Sequence, residues 1–201
     1  MTEVTGTLAP SNSSRMPLVA ALEVLLGLRT RQVVVTTMGA TREWSKLSHH
    51  ALDFHYLPSA MGHAPLLGLG LALAQPDREV IAFNGDGGML MGLGGLVTIA
   101  AARPTNFTLI VLENGIYEVT GGQTTAGSGV VDFAAMGRAA GLVSVRDFDQ
   151  LDAWRAAAAE CLAMPGPRMI VLHVEPVGGD YQLPTLEPAA GRLQRFCAAL
   201  A

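Results

Sequence analysis

The chain has 201 residues, half of them apolar and 15% charged, with a net charge of −4. That composition excludes a disordered chain, and with no basic cluster it argues against nucleic acid as the main ligand. The two cysteines, Cys161 and Cys197, lie far apart and match no zinc or iron–sulfur spacing, so a reduced pair is expected.

Residues 1–15, "MTEVTGTLAPSNSSR", are polar and lack the apolar core of a secretion signal. No uncharged stretch reaches membrane-spanning length. The expectation is a cytoplasmic protein with a flexible tail over 1–15 and a single domain over 16–201.

In chain order, "PLVAALEVLLGLR" (17–29) predicts a helix with proline in its first turn, and "QVVVTT" (32–37) a buried strand. A helix over 62–75, a strand over 79–84 and a helix over 89–103, halted by Pro104, follow. "FTLIVLE" (107–113) is a further strand, and "DFAAMGRAAG" (132–141) a helix. A weaker strand over 141–146, a helix over 150–164, the strand "RMIVLHVE" (168–175) and a helix from about Pro188 complete the pattern. The segment "GGDYQLP" (178–184) reads as flexible, ordering on assembly.

The strand runs are almost continuously apolar, which suits a parallel sheet covered on both faces. Alternation with helices predicts a doubly wound, mainly parallel α/β sheet with helices on both faces. Ligands in such sheets sit beyond the C-terminal strand ends, which points to residues 84–88 and 113–115. Helices 62–75 and 89–103 are apolar nearly all round and rich in glycine. Such a helix is core or is covered by another chain, and two of them favour a subunit interface.

The turn "FNGDGGMLMG" (83–92) joins a strand to a helix, the setting in which backbone N–H groups cradle phosphate. Read as a dinucleotide site, Gly85 and Gly87 fill the first two glycine positions, Leu90 fails the third, and Glu113 serves as the ribose acid. Asp86 opposes that reading, since its charge would repel pyrophosphate. A divalent cation reverses the sign: Mg²⁺ is commonly held by one carboxylate together with substrate phosphates. Asn114, in "LENGIY" (112–117), offers a second oxygen, and Gly115 allows a turn that aims a following carbonyl inward.

The pattern Gly85-Asp86-Gly87 followed by Asn114 resembles the thiamine diphosphate signature, with Glu113 in place of the first asparagine of the usual pair. The resemblance implies Mg²⁺ ligation by Asp86, Asn114 and the backbone carbonyl of Ile116. It also implies cofactor contacts from Gly85, Gly87, Gly88 and Tyr117. "SAMGHAPLLGLGLALAQPDREVIAFNGDGG" (59–88) is similar to the diphosphate-binding domain of 2-oxo acid decarboxylases. That similarity implies that Met61 wedges beneath thiamine and enforces its V shape. "TTMGATRE" (36–43) resembles the loop that contacts the diphosphate, through Thr37 and Gly39. "NGIYEVTGGQT" (114–124) resembles the matching loop of sulfopyruvate and phosphonopyruvate decarboxylases.

Members of this family also need a pyrimidine-binding domain that supplies an activating glutamate. Glu23, Glu43 and Glu160 have no context for that role. The resemblance therefore implies one subunit of a split decarboxylase acting on a small 2-oxo acid. A separate pyrimidine-binding alpha subunit would supply the glutamate in an α2β2-type hetero-oligomer. Alternatives are a carboligase of the acetolactate synthase type, a 2-oxo acid oxidoreductase subunit, a nicotinamide-binding module, or a degenerate scaffold.

Beside Met61, His63 and Glu118 are candidates for contact with the reacting centre, and Gln123 for contact with substrate. His49, His50 and His55 form a cluster by count but lack i,i+4 spacing, which makes them surface loop residues. Arg42 is either a partner for a substrate anion or a solvent-exposed loop residue.

Overall fold

Six parallel strands, in the order β2-β1-β3-β4-β8-β7, form the central sheet of the computed structural model, which describes residues 15–178, 181–182 and 184–201. Residues 1–14 of the expected tail, and Gly179, Asp180 and Leu183 of the 178–184 segment, lie outside the described residues. The strands are β1 (Val33–Thr36), β2 (Asp53–His55), β3 (Val80–Gly85), β4 (Phe107–Glu113), β7 (Ser144–Phe148) and β8 (Arg168–His173). A two-stranded antiparallel ribbon, β5 (Ile116–Tyr117) with β6 (Gln123–Thr124), stands apart from the sheet.

Strand side chains alternate between two cores, as the pleat requires. Val80, Ala82, Phe107, Leu109 and Val111 share one core with α3 (Ala64–Ala74), α5 (Gly94–Ala102) and α6 (Phe133–Ala140). Ile81, Phe83, Ile110 and Leu112 face the other, with α1 (Leu18–Leu28), α2 (Met38–Leu47) and α7 (Leu151–Ala163). The helix α8 (Ala189–Leu200) packs Phe196 on Phe54 of the edge strand β2, ring centroids 4.9 Å apart. Full burial of side chains such as Phe107 and Ile110 contributes about 1.5–3 kcal/mol each. No helix among the described residues is long and apolar enough to cross a membrane.

Three expectations need correction. The helix expected over 89–103 is two helices, α4 (Asp86–Met91) and α5, broken at Gly92 and Leu93. The cause is tertiary: a Cβ on Gly92 would stand 2.7 Å from the Gly62 carbonyl, and one on Gly62 would stand 2.7 Å from the Gly88 carbonyl. Backbones meet there, and the helix is interrupted at the contact. Second, the loop expected over 36–43 is short, because α2 begins at Met38 with a left-handed φ of 47°. Its polar sequence hid a helix that buries Ala40, Thr41, Arg42, Glu43 and Trp44. Third, the strand expected over 141–146 runs from Ser144 to Phe148.

The topology places the site. From β1 the chain crosses to β2 on one side, and from β3 to β4 on the other. The winding reverses between β1 and β3, and a crevice opens at their C-terminal ends. Thr37 follows β1 and Asp86 follows β3.

Candidate functional site

A cavity of about 280 Å³ fills that crevice. Its walls include Thr37, Gly39, Met61, Gly85, Asp86, Gly87, Gly88, Asn114, Ile116, Tyr117 and Glu118. A larger groove of about 800 Å³ runs between β2 and α8 and shares no lining residue with this cavity.

Asp86 opens α4 and is 2% exposed. Its Oδ2 accepts the Gly115 N–H at 3.0 Å and the Thr125 hydroxyl at 3.2 Å. Burial pushes the Asp86 carboxyl above its ordinary range, against the N–H groups of Gly87 and Gly115 and the Thr125 hydroxyl, which favour the ionised form. All these partners are neutral. A buried carboxylate with only neutral donors is short of positive charge, which a divalent cation supplies.

The last β3–β4 pair is Gly85 with Leu112, so Asp86 and Asn114 follow it on adjacent strands. Asn114 Oδ1 accepts the Ile116 N–H at 3.0 Å, which curls the loop so that both residues line the cavity. Arg15 donates from Nη1 to the Asn114 carbonyl. The sequence placed Arg15 in the tail, and nothing local marks that contact. Thr125 was missed for the same reason, since its bond to Asp86 spans 39 positions.

The glycines of the turn divide into two kinds. A Cβ on Gly87 would stand 2.3 Å from the Tyr117 ring, and one on Gly88 would stand 2.7 Å from Asn84 Oδ1. Both are demanded by the chain's own packing. A Cβ on Gly85 would meet nothing within 4 Å, although Gly85 lines the cavity. Its backbone is open to close approach by a ligand at a helix N-terminus. A carboxylate, a carboxamide and a carbonyl would leave coordination positions for diphosphate oxygens and water, a donor set that suits Mg²⁺. Among the described residues no group of three or more His, Cys, Asp or Glu side chains could hold a metal by itself.

Met61 also lines the cavity and is 48% exposed. His63, by contrast, is exposed and outside the cavity walls, with Nδ1 3.0 Å from the Met61 carbonyl at the start of α3. The structure does not bring it to the site. Gln123 is exposed and bonds to Thr120. Glu113 turns away from the cavity toward His173, whose Nδ1 lies 3.5 Å from Glu113 Oε2. That orientation removes the acid a dinucleotide reading requires.

Arg42 and, of the three clustered histidines, His55 alone differ from expectation. His55 is half-buried on β2, 2.9 Å from Thr36 Oγ1, while His49 and His50 are exposed. Arg42 is buried on α2 because Glu43 and Glu118 neutralise it, at 2.6 and 3.7 Å. Burial pushes the Glu118 carboxyl up, while the Val177 N–H and Arg42 favour its ionised form.

Comparison with known proteins fits this geometry. Residues 35–172 match the family described as thiamine pyrophosphate enzyme, C-terminal TPP binding domain. The chain is 41% identical over 170 residues to phosphonopyruvate decarboxylase of Streptomyces viridochromogenes, covering 83% of this chain and 42% of that protein. It is 36% identical over 180 residues to sulfopyruvate decarboxylase subunit beta of Methanothermobacter thermautotrophicus, covering 89% of this chain and 92% of that subunit. An X-ray structure of an enzyme from Mycobacterium smegmatis shares the fold, with a TM-score of 0.68 at 22% identity, over 80% of this chain and 32% of that one. The chain thus spans about two fifths of the length of the phosphonopyruvate decarboxylase it matches.

Proposed function

The chain belongs to the thiamine pyrophosphate enzymes, carrying their C-terminal TPP-binding domain, and from that premise we propose that it is the diphosphate- and Mg²⁺-binding subunit of a split 2-oxo acid decarboxylase. The observation that carries the reading is Asp86, a buried carboxylate with neutral partners beside the open backbone of Gly85. Asp86, Asn114 and the Ile116 carbonyl would hold the metal, and the metal would grip the diphosphate. Thiamine diphosphate, when bound, supplies the nucleophilic carbon and the electron sink for loss of carbon dioxide.

The chain's own residues bind, orient and exclude. Thr37 and Gly39 bound the cavity on the β1 side, and the turn Gly85–Gly88 bounds it on the β3 side. Met61 lines the cavity half exposed, where its side chain would support the cofactor. Glu118 is the carboxyl this wall offers to a ligand once Asp86 is committed to metal.

A separate pyrimidine-binding subunit would close the cavity and supply the activating glutamate. The surface supports this: Met61, Leu73, Met91 and Val97 are exposed at 48, 57, 49 and 61%. Leu73 and Val97 lie on α3 and α5, which pack against each other. One similar protein is named as a beta subunit. Co-expression with a pyrimidine-domain chain, followed by assay on pyruvate, sulfopyruvate and phosphonopyruvate with thiamine diphosphate and Mg²⁺, tests the proposal. Carbon dioxide release from any of them supports it; a stable complex that binds no thiamine diphosphate overturns it.

A further inference from the structure

Among the described residues of the cavity wall, one carboxyl stands besides Asp86, that of Glu118, and other groups hold it. Glu118 Oε1 accepts the Val177 N–H at 2.6 Å and lies 3.7 Å from Arg42 Nη2. Oε2 is turned toward Gly39, where a Cβ would stand 3.2 Å from it. Gly39 and Arg42 are three residues apart on α2, so they share a helix face. The helix that opens the wall at Gly39 therefore also carries the cation behind Glu118.

Arg42 is itself fixed. It is 7% exposed, its Nε donates to Glu43 Oε1 at 2.6 Å, and its guanidinium lies 4.9 Å from the Tyr181 ring centroid. Lys46 donates to the other Glu43 oxygen at 2.9 Å, so Glu43 is shared between two cations. Arg42 Nη2 is buried and has no hydrogen-bond partner among the described residues. A buried ion pair with an unfilled donor adds little stability compared with apolar packing of the same volume. Its place against a cavity residue gives it a different use.

We infer that Arg42 is a positioning residue, which holds the Glu118 carboxylate against the Gly39 side of the cavity so that Oε2 faces the bound ligand. Arg42 does not line the cavity and acts only through Glu118. The inference rests on the decarboxylase reading above.

The test is a double-mutant cycle in the assembled complex with thiamine diphosphate and Mg²⁺, using Arg42→Met, Glu118→Gln and the double variant. Each single change lowers kcat/KM about 10- to 100-fold, while cofactor Kd moves less than about threefold. The double variant is no worse than Glu118→Gln alone, because removing Glu118 leaves Arg42 nothing to position. Arg42→Lys keeps the charge without the planar fork and recovers part of the loss; it also carries the cycle where Arg42→Met does not fold. Additive losses, or normal turnover in Glu118→Gln, overturn the inference while the decarboxylase reading stands. A wild-type complex that neither binds thiamine diphosphate nor releases carbon dioxide overturns that reading, and this inference with it.

Discussion

Gly115 donates its backbone N–H to Asp86 Oδ2 at 3.0 Å, tying together the loops that leave two adjacent strands. The bond holds a buried carboxylate where the Asn114 loop turns, but it does not neutralise the charge. Because the folded pKa of Asp86 lies above its unfolded value, ionised Asp86 costs the metal-free fold stability at neutral pH. Asp86→Asn is therefore expected to raise the Tm of the metal-free protein by a few degrees, about 1 kcal/mol, while abolishing Mg²⁺-dependent cofactor binding. Thermal melts and calorimetric titration read the two effects separately. Unchanged cofactor affinity would remove Asp86 from the metal site.

Gly85 and Gly87 separate packing from binding. Gly87→Ala drives a methyl into the Tyr117 ring and is expected to cost about 1–3 kcal/mol of stability. Gly85 has φ −79° and ψ 158°, a conformation open to any residue, and space around its Cα. Gly85→Ala should leave Tm within about 1 °C and weaken thiamine diphosphate binding by about tenfold or more, as a methyl fills the ligand's approach. Equal losses of stability in both variants would contradict the assignment.

Met61 lines the cavity and is half exposed, so truncating it removes little buried surface. Met61→Ala in the complex is expected to change stability by under about 0.5 kcal/mol and to lower kcat more than it weakens cofactor retention. Steady-state kinetics beside a cofactor titration distinguish these. Normal turnover would remove Met61 from its proposed role.

His173 gives a pH signature away from the cavity. Its Nε2 bonds to Asp147 Oδ1 at 2.7 Å, and that bond, with the Glu113 charge, holds the His173 pKa above its ordinary value. The stabilising effect is fully present below the unfolded pKa of about 6.5 and fades as pH rises through the higher folded value. Asp147 is nearly half exposed, so solvent screening limits the effect to about 0.5 kcal/mol. Asp147→Asn should narrow the stability gap to wild type as pH rises from 5.5 to 8.5; an unchanging gap would show that the pair is not coupled to folding.

How legible this was depended on the range of the interactions. The strands Phe107–Glu113 and Arg168–His173 stand out because burial on both faces leaves apolar runs, Leu109–Leu112 and Met169–Leu172, at their centres. The sequence also marked residues that line the crevice, since Gly85–Gly88, Asn114, Ile116 and Tyr117 sit at or just beyond strand ends. The break at Gly92 was hidden because the Gly62 carbonyl, far away in sequence, imposes it. Arg42 looked like a loop residue because its burial depends on Glu118, from a different element. Met38 in a left-handed conformation, the Thr125 bond to Asp86 and the Arg15 bond to Asn114 likewise become visible only once the strands are aligned.

We propose that this chain supplies the metal and diphosphate half of a decarboxylase that another subunit completes. It is tested most directly by measuring carbon dioxide release from 2-oxo acids with thiamine diphosphate and Mg²⁺, first for the chain alone and then with a pyrimidine-domain chain. The expected result is no turnover for the chain alone, and turnover in the complex that is lost in Asp86→Asn. Full activity from the chain alone, or a complex indifferent to Asp86, would contradict it.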